Sequence, residues 1–190
     1  MPFKTIDETD LQTFQQMVGH EHVLLPHAEN ESYTHDHTEN LRFVPEVILR
    51  PADAAQISDI MRYCHEHSIC VTPRGAGTGL SGGALAVMGG VLLSLERLNR
   101  ILDIDSSNFQ VTVEPGVINE TLQQAVIAQG LFYPPDPASK GSCFLGGNIA
   151  HASGGPRALK YGTTRDYVLN LEIVLPSGEI LWTGANTLKY

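Results

Sequence analysis

The chain has 190 residues, 42% hydrophobic and 17% charged, enough for one domain or two small lobes with a buried core. A net charge of −9 with no basic stripe argues against nucleic acid as the main partner. No apolar run reaches transmembrane length, residues 1–8 do not read as a signal peptide, and Cys64, Cys70 and Cys143 cannot all pair and fit no metal motif, so a reducing cytoplasm is the simplest setting.

In chain order, residues 7–18 predict a short amphipathic helix capped near Asp7. Residues 19–40 are polar and histidine-rich and read as a loop. Residues 44–51 read as a strand ended by Pro51. Residues 52–68 read as a helix, because Ile57, Ile60, Met61 and Cys64 follow the helical period. A strand over 69–73 leads into the loop Pro73-Arg74-Gly75-Ala76-Gly77-Thr78-Gly79-Leu80-Ser81-Gly82-Gly83. Five glycines in nine residues strip side chains from that loop, so its backbone N–H groups can converge on an anion. A bound diphosphate, and hence a nucleotide cofactor, is the ligand this suggests.

Gly77–Gly82 matches G-x-G-x-x-G, with an acid, Asp103, about 20 residues further on, as an NAD fingerprint would have. Context rejects that reading. The fingerprint must open a helix, but here Gly89-Gly90 breaks any helix and residues 91–95 read as a buried strand.

Further strands are predicted over 101–105 and 109–114. After the turn Pro115-Gly116, Asn119 is expected to cap a helix that runs to Ala128 and stops at Gly130. A proline-rich turn, Tyr133-Pro134-Pro135-Asp136-Pro137-Ala138-Ser139, precedes a second glycine tract, Gly146-Gly147-Asn148-Ile149-Ala150-His151-Ala152-Ser153-Gly154-Gly155. Taken alone, the glycines of that tract read as tight packing. Residues 168–175 and 179–182, around Pro176-Ser177-Gly178, predict a β-hairpin.

Two glycine tracts with a Pro-Pro-Asp-Pro turn between them are far more specific than either tract. Together with Val113-Glu114-Pro115-Gly116-Val117, Lys160-Tyr161-Gly162, the hairpin, Tyr33 and Asp36, they resemble the FAD-binding domain of the vanillyl-alcohol oxidase (PCMH-type) superfamily. Within it, the chain is most similar to glycolate oxidase flavin subunits and D-lactate dehydrogenases.

The resemblance implies an α+β, two-lobed FAD-binding domain. The first lobe would be a small β-α-β unit over 41–105, after an N-terminal helix and polar loop over 1–40. The second, over 106–190, would be a mixed or antiparallel sheet with helices, incomplete at its C-terminus. Backbone from Pro73 to Gly82 would cradle the FAD pyrophosphate. Pro135, Asp136, Ser139, Cys143, Gly146, Gly147, Asn148, His151, Ser153, Gly154, Gly155, Tyr161 and Gly162 would line the remaining cofactor. Relatives usually carry Asn-Ala-Gly-Gly where this chain has Ala152-Ser153-Gly154-Gly155, and His151 stands where an acidic or other polar residue is common. The first loop has no histidine for covalent flavin attachment, so non-covalent FAD is expected. Cys143 is the other conceivable attachment point and reads better as a buried structural thiol.

Relatives continue past the equivalent of Asn186-Thr187-Leu188-Lys189-Tyr190 with a Gly-Ser-Glu-Gly segment and a cap domain that carries the substrate pocket. The chain is therefore expected to be an N-terminal fragment, inactive alone, with no catalytic residue in it. The parent would be a cytoplasmic enzyme, or one peripheral to the inner membrane, that oxidises glycolate or D-lactate by hydride transfer to FAD. An iron–sulfur domain or subunit would take the electrons. Two other expectations are a non-catalytic, self-associating flavin module and an enzyme like UDP-N-acetyl-enolpyruvylglucosamine reductase.

His20, His22, His27, His35 and His37 cluster early. His35 and His37 could share one side of an extended segment, with His27 or Glu31 as a third zinc ligand. A polar loop without metal is the preferred reading. No nucleophile elbow supports serine hydrolase chemistry.

Overall fold

The computed structural model describes residues 3–185, which form two compact units. Of the described residues, 3–97 with 169–185 make the first, and 98–168 the second. The expected chain end, Asn186-Thr187-Leu188-Lys189-Tyr190, lies outside the described residues, as do Met1 and Pro2.

The first unit opens with α1 (Glu8–Val18). Asp7 caps it: its carboxylate accepts the N–H groups of Thr9 and Asp10, and Asp10 accepts the Asp7 N–H in return. Four strands follow: β1 (Val23–Leu24), β2 (Val47–Leu49), β3 (Val71–Arg74) and β4 (Val91–Ser94), in sheet order β1-β2-β4-β3. β2, β4 and β3 run parallel; β1 pairs antiparallel with β2. β1 falls where the sequence predicts only loop. A two-residue strand carries no periodic signal and exists because β2 offers it an edge.

Helix α2 (Ala54–Glu66), capped by Asp53, joins β2 to β3. The alternation along β2 and β4 explains the core. Val47, Leu49, Val91 and Leu93 pack with Phe14, Val18, Ile60 and Cys64. Ile48 and Leu92 face the other way, onto Ala86. Both faces are covered, which is why these strands read as unbroken apolar runs. The loop after β3 runs directly into β4 with no helix between them, as the rejection of the NAD fingerprint requires.

The hairpin β7 (Glu172–Val174) and β8 (Ile180–Trp182) groups by contacts with this first unit. The reason is its turn: Ser58 Oγ donates to the Gly178 carbonyl, and a Cβ on Gly178 would sit 2.7 Å from the Ser58 carbonyl oxygen. Only glycine, here at φ +84°, lets the turn lie on α2.

The second unit pairs β5 (Ile101–Asp105) with β6 (Gln110–Val113). Their apolar residues pack with Leu122 and Val126 of α3 (Asn119–Ile127) and with Val117 and Leu145. Gly130 ends α3 at φ +76°, through the bonds Gly130 N–H to Ile127 and Leu131 N–H to Val126.

The expected cap needs correction. Ile118 occupies the cap position, and Asn119 is the first helical residue, fully buried. Its amide is taken up inside the unit, where it serves neighbours more remote than its own helix end. The second glycine tract also holds a short helix, α4 (Leu145–Ala150), where no helix is predicted. Its glycines weaken the helical signal, while packing against Pro115 sustains the turn. A one-turn helix, α5 (Ala158–Tyr161), follows.

Candidate flavin-binding site

In the first unit, the glycine loop leaves β3 with its backbone largely uncommitted. Among the described residues, the N–H groups of Gly75, Ala76, Gly77, Thr78, Gly79, Leu80 and Ser81 make no hydrogen bond within the protein. The loop is half-exposed, with Leu80 and Ser81 open to solvent, so these donors are free to meet a ligand in place of water. Together they form a concentrated patch of partial positive charge suited to an anion. Gly82 departs from the expected cradle: its N–H is spent on Thr38 Oγ1 at 2.8 Å. Pro73 lies in β3, opposite Leu93.

Arg74 sits beneath the loop, 6% exposed. Its Nη2 donates to the carbonyls of Ser32 (2.8 Å) and His35 (2.9 Å), and its guanidinium lies 5.8 Å from the centre of the Tyr33 ring. A Cβ on Gly77 would stand 2.1 Å from Nη2, so the guanidinium fills the space a side chain at 77 would need. Burial pulls the Arg74 pKa below its usual value, opposed by the charges of Asp36, Tyr33 and Glu96.

The segment 32–38 clasps the loop from outside. Besides the Arg74 and Thr38 bonds, the His37 N–H donates to the Gly79 carbonyl at 3.0 Å. Tyr33 donates to Glu96 at 2.7 Å, and Glu96 in turn pairs with Arg50 at 3.1 Å. Burial and the Glu96 carboxylate push the Tyr33 phenol up to about 12. Asp36 is also 6% exposed. Its Oδ1 accepts the Thr38 N–H, while Oδ2 is buried with no hydrogen-bond partner. Sequence reading picks out Tyr33 and Asp36, and His35 only as a possible metal ligand, but not Ser32 or Thr38. The contributing groups of Ser32 and His35 are main-chain carbonyls, which no side-chain pattern announces. Among the described residues, no three His, Cys, Asp or Glu side chains are placed to hold a metal ion.

The second unit uses its glycines differently. A Cβ on Gly146 would meet Pro115 Cβ at 2.8 Å, one on Gly155 the Asp136 carbonyl oxygen at 1.9 Å, and one on Gly162 Asp166 Oδ2 at 2.3 Å. Gly154 lies close to Ala158. Gly147 differs, with nothing within 4 Å of the position its Cβ would take.

Asn148 (3% exposed) donates to Asn119 Oδ1 at 3.2 Å and faces the Cys143 sulfur at 3.3 Å. Asn119 and Gln123 both donate to the Pro135 carbonyl, at 3.2 and 2.8 Å. The side chains of Asn148 and Cys143 therefore knit the unit together internally and fix the proline turn.

Lys140 Nζ lies 3.0 Å from Asp136 Oδ1, and Arg157 3.6 Å from Oδ2, but Oδ1 receives no aligned hydrogen bond. The pairing there is charge attraction rather than directed bonding. Ser139 accepts the Cys143 N–H, and the Ser153 carbonyl accepts both donors of Thr164. His151 is exposed at the end of α4. Tyr161 packs edge-on to Phe132, with its ring 4.9 Å from Lys160 Nζ.

Ala152 has φ +48°, closing α4 with bonds from Ala152 to Ile149 and from Ser153 to Asn148. That left-handed position suits Gly or Asn.

Comparison with known proteins fits this picture. A family model described as an FAD binding domain matches residues 45–184. Glycolate oxidase subunit GlcD of Bacillus subtilis is 45% identical over 157 residues, covering 83% of this chain and 33% of that protein. A D-lactate dehydrogenase of Anaerostipes hadrus is 44% identical, over 88% of this chain and 35% of the enzyme. The mitochondrial D-2-hydroxyglutarate dehydrogenase of Bos taurus is 35% identical, over 95% and 33%. The chain thus spans about a third of the length of these relatives. Among solved structures, an alkyldihydroxyacetonephosphate synthase superposes with TM-score 0.81 at 19% identity, over 100% of this chain and 36% of that one. The 6-hydroxy-D-nicotine oxidase of Arthrobacter nicotinovorans gives TM-score 0.74 at 22%, over 85% and 35%. These last two establish the mixed α+β fold.

Proposed function

The chain belongs to the FAD-binding-domain family, and from that premise we propose that it holds FAD non-covalently as the flavin-binding part of a 2-hydroxy-acid oxidoreductase. The observation that carries this reading is the run of unpaired N–H groups from Gly75 to Ser81, inside the matched region. FAD, when bound, supplies the acceptor for a hydride from the hydroxyl-bearing carbon of the substrate.

The chain's own residues bind and orient. The loop donors hold the diphosphate, and Arg74, buried beneath them, fixes the loop to the segment 32–35. In the second unit, Gly147 is the tract position open to a flat ring, and the packed glycines hold it in place. No residue of the chain is assigned to proton removal.

Glycolate and D-lactate are the substrate class favoured by the names of the relatives. Electrons pass on to a partner protein or iron–sulfur centre, in a cytoplasmic setting or at the inner membrane surface. Among the described residues, no helix is long and apolar enough to cross a membrane.

The test is a visible absorbance spectrum of the purified chain after incubation with FAD and desalting. Retained flavin absorbance is expected, and colourless protein would overturn the binding proposal. Bleaching of retained flavin by glycolate or D-lactate would show that the chain turns over by itself, against the expectation that it does not.

A further inference from the structure

We infer that Asp36 sets the selectivity of the glycine-loop anion site: its buried carboxylate offsets the Arg74 guanidinium beneath the loop, so an anion is chosen by the hydrogen bonds it accepts rather than by its charge. The inference rests on the diphosphate reading of the loop.

The geometry is local to the first unit. Arg74 is fixed by the carbonyl of His35, the residue before Asp36, and by that of Ser32, and it lies directly under Gly77 in the row of free donors. A buried guanidinium below seven unpaired N–H groups would by itself attract any compact anion, with the greatest advantage for the most highly charged. Asp36 stands against this. Its carboxylate is buried, and Oδ2 has no donor of its own. Its charge acts on the guanidinium that the carbonyl of the preceding residue, His35, holds at 2.9 Å, in the same direction as Tyr33 and Glu96, and so offsets the Arg74 charge at the loop.

What survives the cancellation is directional: a row of donors that rewards a ligand with several acceptor oxygens spaced along the backbone. A dinucleotide diphosphate carries one charge per phosphorus and fits this description. Free pyrophosphate has similar oxygens but a higher charge density, and Asp36 removes the advantage that charge would give it.

Asp36→Asn suits the test, because Oδ1 keeps the Thr38 N–H and Oδ2 has no hydrogen bond to lose. Titration calorimetry would compare inorganic pyrophosphate and FAD on the wild-type and D36N chains. D36N should bind pyrophosphate about tenfold more tightly, while FAD affinity moves by less than about threefold. Salt dependence gives a second readout that needs no variant: pyrophosphate binding to the wild-type chain should weaken only slightly with added salt, because the loop's net charge is small. Unchanged or weaker pyrophosphate binding in D36N, or a steep salt dependence in the wild type, would overturn the inference. Failure of wild-type FAD binding alone would sink the flavin reading and leave the pyrophosphate comparison intact.

Discussion

In the first glycine tract, the glycines leave a row of N–H groups without partners. In the second, they let one stretch of backbone lie against another. The same residue type therefore frees donors in one unit and permits close packing in the other. Glycine enrichment by itself says only that backbone must come close to something. Whether that something is a ligand or the protein itself depends on where the N–H groups go. By this measure, Gly147 belongs with the first tract and Gly82 with the second.

The comparison breaks most visibly at Gly155. Alanine there would drive Cβ into the Asp136 carbonyl oxygen at a φ of +148°, a conformation nearly confined to glycine. Gly155→Ala should cost about 3–4 kcal/mol of stability, read as a lower urea midpoint. An unchanged midpoint would mean that the tract's glycines are not there for packing.

Gly77→Ala tests the opposite case. The new methyl displaces Arg74 and tilts the loop. FAD affinity should fall about tenfold or more, near 1.4 kcal/mol, with a smaller loss of stability. Equal affinity in the two proteins would separate the loop from the cofactor.

Gly147→Ala gives the smallest and most discriminating change. Its Cβ meets nothing, and Gly147 lies within α4, so stability should rise by about 0.5–1 kcal/mol. FAD binding should nonetheless weaken, because the open face is filled. A gain in stability with unaltered binding would assign Gly147 to solvent.

Much of this molecule was readable in advance where physics repeats along the chain. The cap of α1, the strand β2 and the stop at Gly130 all follow local rules. The strand after the glycine loop was legible for the same reason. What escaped reading depends on distant partners. β1 exists because β2 has a free edge. Asparagine favours caps, which is why Asn119 reads as one, yet its Nδ2 donates to the Pro135 carbonyl and its Oδ1 accepts from Asn148, and the pair of bonds holds it inside the unit. Sequence reading places Arg74 in the loop, whereas it is the last residue of β3 and its side chain reaches two main-chain carbonyls, partners that no local pattern announces.

The seat of Gly178 on α2 has a consequence for how the chain is made. Ser58 and Arg62 leave the ribosome long before the turn that covers them, and the whole of 98–168 is synthesised in between. The second unit is continuous in sequence, so it can close as soon as it emerges. The first must keep one helix surface uncovered until the hairpin after residue 168 arrives. Of the two, the N-terminal unit is the one that finishes later, and a nascent chain halted before residue 178 would present that surface to chaperones.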